Sequence, residues 1–102
     1  MSLMSLTAVE LGKRIQNKEV TAVDATREAL AAIAAREDAV HSFVTVDGDR
    51  AMQRAKEVQE RIASGELTSP LAGVPVAIKD NMCTKGLKTT CSSKILYNFI
   101  PT

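Results

Sequence analysis

A chain of 102 residues, 45% hydrophobic and 25% charged, has globular composition and the length for one domain around one modest core. Its formal charge of +1 leaves no electrostatic footprint for nucleic acid or a membrane surface. With Phe43, Tyr97 and Phe99 as its only aromatics and no Trp, the core must be aliphatic, and a base-stacking platform is not expected.

No basic segment followed by an apolar stretch opens the chain, and the apolar runs 29–35 and 71–78 fall far short of the ~18 residues of a spanning helix. A cytoplasmic protein with no membrane contact is expected. Met-Ser-Leu at 1–3 is repeated at 4–6, which reads as an expression tag over 1–3 before a native start at Met4. In that compartment Cys83 and Cys91 are expected as free thiols. No metal site is expected, because only His41 could join them and no C-x-x-C spacing exists.

Thr7-Ala8-Val9-Glu10 is a capping box, with Leu6 placed to staple onto Leu11, so a helix should run from about Ala8 to Asn17 on a stripe of Ala8, Leu11 and Ile15. Thr21-Ala22-Val23-Asp24 repeats the signature. Val23, Leu30 and Ile33 carry a second, alanine-rich helix to about Arg36. Val40–Val46 is short and rich in β-branched residues and predicts a strand ended by Asp47-Gly48. Ala51, Ala55, Val58 and Ile62 follow i, i+4, i+7, i+11 and predict a third helix, stopped by Gly65.

After the linker-like 65–70, Val74-Pro75-Val76-Ala77-Ile78 predicts a strand apolar on both faces. The fold class is therefore α/β, about three helices packed on the beginning of a mixed sheet. Two strands make a poor sheet, and a two-sided strand normally has neighbours on both edges. Residues 4–102 are thus expected to be the N-terminal part of a single larger domain.

Lys79 ends the most hydrophobic run. An amine buried there loses solvation, its pKa drops from about 10.4, and it becomes usable as a base near neutral pH. The other reading is a strand-end lysine that snorkels to solvent or pairs with a carboxylate. Asp80 does not decide between them, since neighbours on a strand point to opposite faces. Thr89, Thr90, Ser92 and Ser93 offer four hydroxyls in five residues, suited to local turn bonding or to a ligand. A Ser-Lys pair with Ser92 or Ser93 as nucleophile lacks support, as there is neither an S-x-x-K spacing nor a G-x-S-x-G elbow.

Gly73–Asn81, "GVPVAIKDN", followed by "KGLKTTCSSKIL" at 85–96, resembles the amidase signature family, and within it the ammonia-supplying components of glutamyl-tRNA(Gln) amidotransferases. "TAVELGKRI", "VTAVDAT" and "SFVTV" extend the resemblance over the chain after residue 3. It implies an amidase-signature fold and a triad of lysine, bridging serine and nucleophilic serine. Lys79 matches the lysine, and both serines belong to a signature region beyond Thr102. It implies glutamine hydrolysis as the activity, with ammonia passed to the B component of the complex, which uses ATP and Mg to convert Glu-tRNA(Gln) into Gln-tRNA(Gln). The B and C components of that amidotransferase are the implied partners, tRNA is contacted mainly through a partner, and this chain itself takes no cofactor. A piece without the two serines is expected to be inactive, and an unpaired strand at 74–78 to drive self-association. Two rival readings are an amidase acting on another amide and a non-catalytic assembly or docking module.

Overall fold

The structure is a computed structural model that describes residues 2–102; Met1, the first residue of the expected tag, lies outside the described residues. Among the described residues it holds three helices, α1 (Ala8–Gln16), α2 (Ala22–Val40) and α3 (Gly48–Ala63), and two short 3-10 turns at Leu3–Ser5 and Lys94–Leu96. Two compact units divide it. The first takes the residues up to Val40 together with Asp47–Pro75, and the second takes His41–Val46 with Val76–Thr102.

Local chemistry sets the helix starts of the first unit. The Thr7 hydroxyl accepts the Glu10 N–H at 3.2 Å, while the Glu10 carboxylate accepts the Thr7 N–H at 2.8 Å, closing the capping box at the start of α1. Bonds from the Thr7 amide and hydroxyl hold the Glu10 carboxyl below its ordinary value. Thr21 and Asp24 make the same exchange at 3.0 and 3.3 Å ahead of α2. The Asp47 side chain caps α3 by accepting from the Arg50 N–H at 3.1 Å. Ser64 is the C-cap of α3, and Gly65 follows at φ +79°, as its place after the last apolar position predicts. Helix α2 runs four residues past its expected end. No Gly or Pro interrupts 37–40, and the left-handed His41, φ +51°, follows the last turn.

Leu11, Ile15, Ala25, Ile62 and Ala72 form the core, with Leu3, Leu6, Val20, Val58, Leu67 and Val74 packed on it. Leu11 and Ile15 are buried as the stripe of α1 predicts, whereas Ala8 is exposed. The buried face of α2 is Ala22, Ala25 and Thr26; Val23, Leu30 and Ile33 are only half-buried. Small side chains permit a close approach, and α2 packs along α3. Two glycines admit the segment after α3. A Cβ on Gly12 would lie 1.9 Å from the Pro70 carbonyl oxygen, so 70–71 can cross α1 only at glycine. Gly73 sits at φ +84°, and its Cβ would meet Ala22 Cβ at 3.0 Å and Ile15 Cγ2 at 3.2 Å.

The expected sheet is not there: among the described residues neither 40–46 nor 74–78 forms a strand. Nor are these runs buried, since Val44 is 62%, Val76 77% and Ile78 54% exposed. Their β-branched, apolar content suits a strand, but a strand also needs a partner for its backbone groups. Among the described residues neither segment lies in a sheet ladder that would supply one. The second unit is instead tied by single backbone bonds, Gly86 N–H to the Pro101 carbonyl and Thr89 N–H to the Phe99 carbonyl at 3.0 Å each, and Cys91 N–H to the Asp80 carbonyl at 3.1 Å. Among the described residues of that unit only Thr89 and Thr90 are buried.

Candidate active site

An open hollow of about 850 Å³ lies within the second unit. Residues 42–45 line one part of it, the run from Ala77 to Met82 another, and Thr84, Leu87, Lys88, Cys91 and Ser92 the remainder. Lys79 is part of this lining and is exposed, so the burial that the apolar run suggests for its amine is absent in this chain. Its backbone is fixed all the same, for the Lys79 carbonyl accepts the Met82 N–H at 3.0 Å in a tight turn.

Asp80 is half-buried and makes the densest polar cluster of the unit. One oxygen, Oδ1, accepts the Thr90 N–H at 2.8 Å, and Oδ2 accepts the Thr90 hydroxyl and, at 3.2 Å, the Ser92 N–H. With the Asp80 carbonyl taking the Cys91 N–H, one residue satisfies three successive amides. Cys91 and Ser92 reach it at φ +51° and +55°, a left-handed conformation that non-glycine residues rarely take. The Thr90 hydroxyl first, and then the Thr90 and Ser92 amides, hold the Asp80 carboxyl below its ordinary value by favouring the charged form. Sequence reasoning gives Asp80 no role. The signal that points to it is a short acceptor side chain with a Thr-Thr-x-Ser turn about ten residues on, because Asp side chains cap turns in this way.

The four hydroxyls divide by role. Thr89 donates to the Met82 carbonyl at 3.3 Å, Thr90 to Asp80, and the Ser93 hydroxyl accepts the Ile95 N–H at 3.2 Å to cap the turn at 94–96. These are the local turn contacts expected of them. Ser92 lines the hollow along with Lys79 and Cys91. Cys83 and Cys91 are exposed free thiols. Among the described residues no cluster of His, Cys, Asp and Glu is placed to hold a metal, and no helix is long and apolar enough to cross a membrane.

The family model described as Amidase matches residues 24–102. The A subunit of the glutamyl-tRNA(Gln) amidotransferase of Agathobacter rectalis is 67% identical over 102 residues, covering 100% of this chain and 20% of that protein. Its namesakes from Lachnospira eligens and Desulforamulus reducens are 54% and 48% identical, covering 100% and 99% of this chain and 21% of each relative. The chain thus spans about a fifth of the length of the curated relatives it matches. No solved structure matches it. Since most of its length, Lys79 and the lining of the hollow included, falls inside the matched region, the chain belongs to the amidase family.

Proposed function

We propose that this chain supplies the lysine of the amide-hydrolysing site in the glutaminase component of a tRNA-dependent amidotransferase. The observation that carries the reading is Lys79 itself. It stands at the end of "GVPVAIK" on the lining of the hollow, inside the matched region and in a chain two-thirds identical to the A subunit of a glutamyl-tRNA(Gln) amidotransferase. In the larger domain the run 74–78 becomes a paired strand, the two serines come from the part of the relatives' length that this chain does not span, and the chain alone releases no ammonia.

The chemistry then assigns Lys79 one task. Its amine takes the proton that leaves the nucleophilic serine hydroxyl, relayed through the bridging serine. The serine oxygen bonds to the carboxamide carbon of glutamine, the C–N bond breaks, and the relayed proton leaves with the nitrogen as ammonia. Water hydrolyses the glutamyl ester that remains. Transfer of that ammonia to Glu-tRNA(Gln), with ATP and Mg, belongs to the B component of the complex. The C component completes the assembly in the cytoplasm, and tRNA is held mainly by the partner that modifies it.

The test is ammonia release from glutamine by the full-length parent protein. Lys79→Ala should lower the rate on the order of 10³-fold or more, as loss of one member of a concerted triad does. Wild-type release by Lys79→Ala removes the assignment. Release from other amides but not from glutamine moves the substrate to another amide within the same family.

A further inference from the structure

We propose that Asp80 is a positioning residue for this reaction, holding the 90–92 turn against the backbone that carries Lys79 so that the lysine and the wall of its hollow keep one geometry. The inference rests on the amidase reading of Lys79 and extends it to a residue that does not touch the reacting atoms.

Three observations carry it. Asp80 is the residue after Lys79, and both line the hollow, as do Cys91 and Ser92. The Asp80 carboxylate and carbonyl together take the amides of Thr90, Cys91 and Ser92, with the Thr90 hydroxyl as a fourth donor. Finally, the turn is held in a left-handed conformation at two successive non-glycine residues, a strained state that persists only where the surroundings over-determine it. Among the described residues this unit holds neither α-helix nor sheet, so the cluster is its main means of fixing the distance from Lys79 to the turn. Thr90 is buried, which shields these bonds from competing water.

Charge is central, because three of the four donors converge on the carboxylate, whose oxygens only accept. In Asp80→Asn the amide NH2 replaces one accepting oxygen and faces an N–H or an O–H, so the cluster opens although the side chain keeps its size. Displacing a positioned group by about 1 Å costs up to about 10²-fold in rate.

In the full-length parent, Asp80→Asn and Thr90→Val should each lower kcat for glutamine hydrolysis by up to about 10²-fold with little change in KM. Thr90→Ser, which restores the hydroxyl, should recover most of the kcat lost in Thr90→Val. Amide hydrogen exchange at 90–92 should accelerate in Asp80→Asn and Thr90→Val, which reads the cluster independently of activity. A wild-type kcat in a folded Asp80→Asn protein whose 90–92 amides exchange faster overturns the positioning role. If Asp80→Asn does not fold, the Thr90 pair decides: equal kcat in Thr90→Val and Thr90→Ser overturns it. Lys79→Ala is the control that separates the two claims, since full activity there defeats the amidase reading first, whatever the exchange at 90–92 shows.

Discussion

Asp80 Oδ1 accepts the backbone N–H of Thr90 at 2.8 Å while Oδ2 takes that residue's hydroxyl, so two residues ten apart are locked through both main chain and side chain. The lock favours the ionised carboxylate. Because the folded-state pKa lies below the ordinary 3.8, the stabilisation is fully present above that value and is lost as pH falls through the lower folded value. Following the Asp80 carboxyl and the Thr90 amide proton by NMR should therefore give one shared transition with a midpoint below 3.8. A midpoint at or above the ordinary value, or a Thr90 amide indifferent to it, would show that the lock is absent in solution.

The first unit should be sensitive at Gly73. Gly73→Ala adds a methyl 3.0 Å from Ala22 Cβ and 3.3 Å from Ile62 Cδ1 at a positive φ. Overpacking of this kind costs typically about 1–3 kcal/mol, and the backbone adds roughly 1–2 kcal/mol more. Gly65→Ala, with a similar φ but open space around it, should incur only the backbone part. Urea unfolding of both variants measures the difference, and equal losses would mean that Gly73 does not lie in the core described.

Removing the cap of α1 is a milder change. Thr7→Ala deletes the acceptor for the Glu10 N–H and should cost about 0.5–2 kcal/mol. It should also let the Glu10 pKa move toward its ordinary value, since bonds from Thr7 are the largest causes of its lowering and the hydroxyl supplies one of them. An unchanged Glu10 titration in Thr7→Ala would show that the capping box is not formed.

The helix starts and stops are legible in the sequence because their causes are local. Thr7 with Glu10, Thr21 with Asp24 and Gly65 after Ile62 lie within a turn of one another, and spacing alone reveals them. The runs 40–46 and 74–78 look like formed strands and are not, because β-branched composition reports only suitability for a sheet, while pairing depends on chain far away. Lys79 is legible as a candidate through the motif around it, but its exposure is not, since the run before it forms no strand and is itself exposed at 76–78. The Asp80 cluster is hidden because on a regular strand Asp80 would point away from its neighbour's face. The turn beginning at residue 80 is what frees its carboxylate to reach Thr90.

The second unit should be the labile one. Among its described residues no apolar side chain is buried, while Val76, Ile95 and Tyr97 are 77%, 88% and 66% exposed. Exposed apolar surface of this kind drives association. In the 102-residue chain, amides at 76–102 should exchange faster than those of α1 and α3, with those held by Asp80 slowest among them, and sedimentation should show mass rising with concentration. A monomer at all concentrations with uniformly slow exchange would mean that this unit has a core of its own.

Lys79 alone among the nearby lysines should be the working amine. Lys88 lines the same hollow and is likewise exposed, so it controls for a charge merely lost from that surface. The decisive measurement is kcat/KM for glutamine hydrolysis by the full-length parent carrying Lys79→Ala or Lys88→Ala. Lys79→Ala should lose on the order of 10³-fold or more, and Lys88→Ala should change by no more than about threefold. Comparable activity in the two variants would contradict this.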